Sequence, residues 1–242
     1  MVADEPGVVD LGPGVLAAFT TRASGGLGLG VADDEPTVLA NRARLARWAG
    51  APVAFGTQVH GSAVLAVDGP PADERTVGVA DAYVTTSDAV AVAVLVADCV
   101  PVLLADPDAR VVAAVHAGRG GLVTGVLTAA VAAMVERGAV PAHIRAAVGP
   151  SIAGESYEVP APMRDEVGAR LPEAPATTSW GTPALDLRAA TIGELARAGV
   201  TRVVHVDRDT FTDPELYSHR RATAAGTTTG RGCGLVRLLP AG

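Results

Sequence analysis

The 242-residue chain contains no lysine; all nineteen of its basic residues are arginine. Without a lysine amine there is no Schiff-base chemistry. There is also no Gly-Lys pair to close a phosphate-binding P-loop. Cysteine is scarce, and two in a chain this long do not make a disulfide framework. Aromatics amount to 3%, so the core must be built from Val, Leu and Ala. No basic block appears and the net charge is −7, which argues against a nucleic-acid partner. No apolar run reaches bilayer-spanning length, so no membrane is expected. No basic start followed by an apolar stretch reads as a secretory signal. A reducing cytoplasm is the expected compartment.

What is present reads as short strands and helices in mixed order, not in strict alternation. Val15 to Thr20 predicts a strand, followed by a glycine-rich loop through Gly30. Gly26, Gly28 and Gly30 alternate without the third glycine of a dinucleotide fingerprint, so a turn is the reading. Asp34 and Pro36 open a helix that stops at Gly50. Strands are expected at 63–67 and 83–86, and Ala89 to Ala97 reads as a strand covered on both faces. Val102–Ala105 and Val111–Val115 predict a hairpin turning at Asp106-Pro107-Asp108. Helices are expected over 122–137, 163–171 and 187–198, and strands over 144–148, 202–206 and 235–238. The mixed order predicts an α+β fold: mixed sheets with helices outside, in one domain spanning 1–242.

His60, Cys99 and His116 carry the chemistry. They stand in Gln58-Val59-His60-Gly61, Ala97-Asp98-Cys99-Val100-Pro101 and Val115-His116-Ala117-Gly118. Each closes or precedes an apolar, strand-like run, which would gather them at one sheet edge. Two imidazoles and a thiolate suit zinc, with a fourth position open for water or substrate. The intervals fix no ligand set, however, and the alternative is a small buried cysteine beside two hydrogen-bonded histidines. Asp98 adjoins the cysteine and reads equally as a general acid or base, or as a turn cap. Asp81 is a weaker carboxylate of the same kind. Gln58 falls on the side of His60 if the segment is extended. His205 reads as a satisfied strand residue and His143 as solvent-facing.

These segments resemble the laccase-domain family, once labelled multicopper polyphenol oxidases. The resemblance continues through Thr20-Thr21-Arg22, Asn41-Arg42, Asp81-Ala82, Gly149-Pro150, Tyr157-Glu158-Val159, Leu185-Asp186-Leu187, Ser218, Arg220-Arg221 and Thr229-Gly230-Arg231. It implies packed sheets flanked by helices, with His60, Cys99 and His116 as metal ligands. It also implies zinc-dependent phosphorolysis of purine nucleosides, with adenosine deamination in some members. Adenosine, inosine, guanosine and 5′-methylthioadenosine are then the expected substrates, with inorganic phosphate as partner.

A phosphorolytic site needs an anion holder, and the arginine fork donates two parallel hydrogen bonds. Arg22 is the first expectation, because its loop precedes the glycines; Arg220 and Arg231 follow. His219 falls in the stretch that the resemblance places near the site. The sequence departs from the family pattern at Arg119-Gly120, where Trp-Arg is usual, and at Ser151, Ser156 and Asp209-Thr210, where cysteine is common. These departures put substrate choice in question and leave the three ligands untouched. Two rival readings follow from the same residues. One is a metal-free cysteine hydrolase with Cys99 as nucleophile and His116 as base. The other is a copper phenol oxidase, which five histidines with no His-x-His pair cannot furnish.

Overall fold

Alternation of side chains along the strands decides how this chain layers. The computed structural model describes residues 5–241. Its strands are β1 (Gly7–Val9), β2 (Val15–Phe19), β3 (Val53–Ala54), β4 (Val64–Ala66), β5 (Ala82–Thr85), β6 (Ala91–Val96), β7 (Val100–Asp106), β8 (Val111–Ala117), β9 (Arg145–Val148), β10 (Pro175–Thr177), β11 (Pro183–Leu185), β12 (Arg202–His205) and β13 (Gly232–Leu238). Its helices are α1 (Glu35–Ala49), α2 (Arg119–Val123), α3 (Val126–Val135), α4 (Ala161–Gly168), α5 (Leu187–Arg197) and α6 (His219–Ala224).

The strands form a five-stranded sheet, β1-β2-β13-β6-β3, a six-stranded sheet, β12-β9-β7-β8-β5-β4, and a small β10-β11 ribbon. Both large sheets mix parallel and antiparallel pairs. Along β6, Val92 and Val94 point into a core shared with Leu103, Val112 and Ala114 of the other sheet. Ala91 and Ala93 point the opposite way, against Leu45 and Ala49 of α1. The six-stranded sheet repeats the logic: Val102, Leu104 and Val115 pack on Leu127, Val131 and Met134 of α3 and Leu195 of α5. The result is helix, sheet, sheet, helices: an α+β stack with the apolar runs at its centre. Small Val and Ala side chains let the sheets approach with few aromatics between them. Tyr83 is the largest fully buried side chain, and its hydroxyl donates to the Ala80 carbonyl at 2.6 Å.

α1 begins and ends as its sequence predicts. The Asp34 carboxylate accepts from Thr37 N–H at 2.8 Å, and Gly50 closes the helix with φ 70°. The predicted hairpin is β7–β8, whose turn is held by Asp106 accepting from the Asp108 and Ala109 amides. The single helix expected over 122–137 is instead two, α2 and α3. Gly125 adopts φ 85°, a left-handed conformation that a helix interior does not admit. Helix α4 lies slightly earlier than the expected 163–171. Among the described residues, no helix is long and apolar enough to cross a membrane.

Candidate metal centre

Hairpin register brings Cys99 to His116. Pro101 pairs with His116 and Val100 with Ala117, so Cys99, just before β7, arrives where β8 ends. β5 runs along the other side of β8, with Ala82 opposite Val115. That places Asp81 beside His116, whose main-chain N–H donates to the Asp81 carbonyl at 2.7 Å.

The Asp81 side chain is fully buried and works in two directions. Its Oδ1 lies 2.8 Å from His116 Nδ1 and accepts from the His60 amide at 2.9 Å. Its Oδ2 accepts from the Val59 and Gly61 amides at 3.1 and 2.8 Å. One carboxylate therefore orients one imidazole by its ring and the other by its main chain. In the neutral ring, donation of Nδ1–H to Asp81 leaves His116 Nε2 as the nitrogen with a free lone pair. His60 takes φ 59° and Asp98 φ 94°, so one donor and the residue before another are left-handed non-glycines. Such conformations cost roughly 1–3 kcal/mol each and persist where surrounding bonds over-determine them.

His60, Cys99 and His116 bring their donor atoms within 4.8 Å of one another. Tetrahedral bonds of roughly 2.0–2.3 Å put ligand atoms about 3.3–3.8 Å apart. The Cys99 Sγ to His60 Nε2 separation, 3.7 Å, matches. The imidazoles meet edge to face, with centroids 4.8 Å apart. A Cβ on Gly118 would lie 2.8 Å from His60 Cδ2, 3.3 Å from Cys99 Sγ and 3.5 Å from His116 Cε1. The absence of a side chain there keeps the cradle between the three donors clear, and donor set and cradle together fit zinc.

Burial alone would push the Cys99 thiol up; hydrogen bonds and charge from His116 and His60 outweigh it and bring it down to about 6. Burial disfavours charged His116, but Asp81 and then Cys99 raise it to about 9. Asp81 is driven up by burial, and His116 with the Gly61 and Val59 amides hold it below the usual carboxylate range. Both shifts favour the thiolate and the protonated imidazole in the metal-free cluster. Cys233 is the opposite case: burial pushes its thiol up to about 12.

The cluster opens into a cleft of ≈ 770 Å³ between the sheet ends and the loops. Gln58 lines it, but its amide pairs with the Leu95 main chain in both directions, at 2.8 and 2.7 Å, supplying a rung beyond the short strand β3. The extended geometry expected at Gln58 does not continue into His60. Asp98 lines the cleft with both oxygens engaged: Thr210 Oγ1 donates to one and the Arg220 amide to the other, each at 2.6 Å. Arg220 donates to the Glu158 carbonyl at 2.8 Å and its guanidinium sits 4.9 Å above the Tyr157 ring. His219 and Arg231 also line the cleft. Arg22 does not; its guanidinium stacks over Tyr217 at 5.1 Å. Ser156 donates to Asp209 at 2.7 Å, which also accepts from the Ala153 amide, so the cysteine-poor segment is braced by hydrogen bonds behind Ile152 and Tyr157.

A second donor group, Asp106, Asp108 and His143, also falls within 4.8 Å. Its one buried member, Asp106, is already committed to the Asp108, Ala109 and Val140 amides. His143 is exposed, as expected; His205 lies in strand β12, as read, at the edge of the six-stranded sheet and exposed rather than buried.

Residues 16–239 match the family described as multi-copper polyphenol oxidoreductase laccase. A purine nucleoside phosphorylase of Corynebacterium glutamicum is 43% identical over 93% of this chain and 94% of its own length. One of Streptomyces griseus is 46% identical over 91% of this chain and 93% of its own. One of Streptomyces coelicolor is 49% identical over 88% and 87%. Among solved structures, the Neisseria meningitidis protein NMB0706 superimposes with a TM-score of 0.83 at 32% identity, covering 98% of this chain and 99% of that one. YlmD from Geobacillus stearothermophilus gives 0.81 at 29%, covering 94% and 93%.

Proposed function

The chain belongs to the multi-copper polyphenol oxidoreductase laccase family, and within it we propose a zinc-dependent purine nucleoside phosphorylase. The observation that carries this reading is an open three-donor set, His60, Cys99 and His116, at the floor of an arginine-lined cleft. The names of relatives 43–49% identical over most of the chain support the purine nucleoside. The substrates are adenosine, inosine, guanosine or 5′-methylthioadenosine.

Zinc, when bound to these three residues, supplies a Lewis acid that stabilises developing negative charge. The protein's own part is positioning and charge. Asp81 fixes the donors before any ligand arrives, so no rearrangement is needed at the reacting step. In phosphorolysis a phosphate oxygen bonds to the sugar C1′ as the C1′–N9 pair leaves with the purine, which takes up a proton. Arginines hold the phosphate. Tyr157 and the Arg220 guanidinium stacked on it both line the cleft, and together they offer a flat wall for a planar base. Asp98, saturated by Thr210 and Arg220, braces the start of α6 in this reading rather than moving a proton.

A second reading rests on the thiolate–imidazolium pair of the metal-free cluster, which suits a cysteine hydrolase. Metal analysis of untagged protein separates the two. The deciding experiment incubates zinc-loaded protein with the four nucleosides, with and without phosphate, and identifies the products. Phosphorolysis of adenosine gives adenine and ribose 1-phosphate and consumes phosphate. Deamination, a second activity of this site, gives inosine and ammonia without phosphate. Inosine without adenine reverses the order of the two activities. Neither product from any nucleoside overturns the phosphorylase reading and puts the hydrolase first.

A further inference from the structure

Arg119 is the side chain of the cleft whose charge has no partner. The chain as a whole carries −7, yet the cleft's charged lining is five arginines and one carboxylate, Asp98. Asp98 is already spent on Thr210 and the Arg220 amide. A cleft of this balance is built for an anion.

Most of its arginines are occupied. Arg42 donates to the carbonyls of Leu27, Glu74 and Arg75 and packs 4.2 Å over Phe55. Arg75 is paired with Glu35 at 2.5 Å. Arg231 donates to the Thr229 and Gly230 carbonyls. Arg220 is held by Glu158 and Tyr157. Arg119 is half-buried at the start of α2, and its side chain makes no hydrogen bond or ion pair with any described residue.

Its position is set by the glycines on either side. Gly118 packs against all three donor residues, and a Cβ on Gly120 would lie 2.8 Å from the His60 carbonyl. The main chain of Arg119 is thus wedged against the donor cluster, and its side chain extends into the cleft from there. The departure Arg119-Gly120 therefore does not strip the site of an arginine; it sets one beside the cluster, with no side chain at the next residue to crowd the His60 loop.

We propose that Arg119 is the phosphate-holding residue, the role that the sequence suggested for Arg22. The proposal rests on the phosphorylase reading for the identity of the anion. Arg119 binds inorganic phosphate by charge-assisted hydrogen bonds and sets it next to the donor cluster, leaving the nucleoside to the Tyr157 wall.

The test uses the zinc-loaded protein with Arg119→Gln, Arg119→Lys and, as control, Arg22→Gln. Inorganic phosphate binding is measured by calorimetry without nucleoside, and KM for phosphate and for inosine by steady-state kinetics. Arg119→Gln should weaken phosphate binding and raise the phosphate KM roughly ten- to a hundredfold, given the strength of charge-assisted bonds. The inosine KM should stay within about twofold, since no uniform binding of the nucleoside is removed. Lysine keeps the charge but loses the fork and should restore part of the affinity. Arg22→Gln should match the wild type. Unchanged phosphate affinity in a folded Arg119→Gln protein overturns the proposal, as does a rise confined to the inosine KM. If the wild type binds phosphate and Arg119→Gln does not, yet no nucleoside is cleaved, the anion site stands and the phosphorylase reading falls.

Discussion

Asp81 meets His116 at 2.8 Å beneath the donor cluster, and the same carboxylate holds the amides of the His60 loop. This arrangement makes Asp81 a positioning residue for two of the three candidate donors at once. Asp81→Asn should lower zinc affinity by roughly 10–100-fold, the usual cost of losing a ligand's carboxylate partner. Asparagine keeps one acceptor, but its amide would face the Val59 and Gly61 donors. Competition against a chromophoric chelator measures the effect. Wild-type affinity in the folded variant would show that the three ligands orient themselves.

Gly118 tests the cradle from the other side. A methyl there comes within 2.8 Å of the His60 ring and 3.3 Å of Cys99 Sγ. Gly118 has φ −75°, so alanine suffers no backbone strain and the clash alone is probed. Gly118→Ala should lose most bound zinc while its melting temperature without metal stays close to that of the metal-free wild type. Full zinc occupancy in that variant would remove the cradle argument.

The two cysteines should report their surroundings without any metal present. In metal-stripped protein, Cys99 reacts as a thiolate, and its alkylation rate should fall as pH drops through about 6, because protonation removes the nucleophile. An ordinary thiol would lose rate already below about 8.5. Cys233, fully buried with its thiol pushed up to about 12, should stay unmodified until the protein unfolds. Zinc should protect Cys99 and leave Cys233 unaffected. Peptide mass mapping after timed iodoacetamide exposure distinguishes the two. A midpoint near 8.5 for Cys99 would mean that the imidazoles do not support the thiolate.

How much of this was legible in the sequence depends on how local each cause is. The meeting of Cys99 with His116 follows from a hairpin whose Asp106-Pro107-Asp108 turn is written in the chain. Helix α1 is legible because Asp34, Pro36 and Gly50 act within a turn of its ends. The break at Gly125 was not, since a lone glycine in an apolar helical pattern is usually tolerated. Short strands such as β3 and the proline-started β10 and β11 carry too few residues to alternate; their partners across the sheet define them. The shared grip of Asp81 depends on a left-handed His60 and a parallel β4–β5 pair, neither of which leaves a periodic trace. Arg22 and Arg119 look alike as letters. Only the fold shows that one stacks on Tyr217 and the other stands alone in the cleft.

Asp98 decides between a proton-transfer role and a bracing one. Its oxygens accept from Thr210 Oγ1 and the Arg220 amide, both at 2.6 Å. Asparagine reproduces this pair: its carbonyl accepts from the Arg220 amide, and its NH₂ donates to a Thr210 hydroxyl turned to accept. Asparagine also tolerates the left-handed φ of 94° better than most residues. A brace therefore survives Asp98→Asn, and kcat should stay within about threefold of wild type, with zinc content unchanged. A general acid or base does not survive it, and the loss would be roughly 10²–10⁴-fold. Asp98→Leu removes both acceptors and leaves the part-buried Arg220 amide without its partner, so it should impair either role. A large drop in kcat for Asp98→Asn at full zinc occupancy, with the upper or lower limb of the pH profile abolished, would return Asp98 to the proton-transfer step.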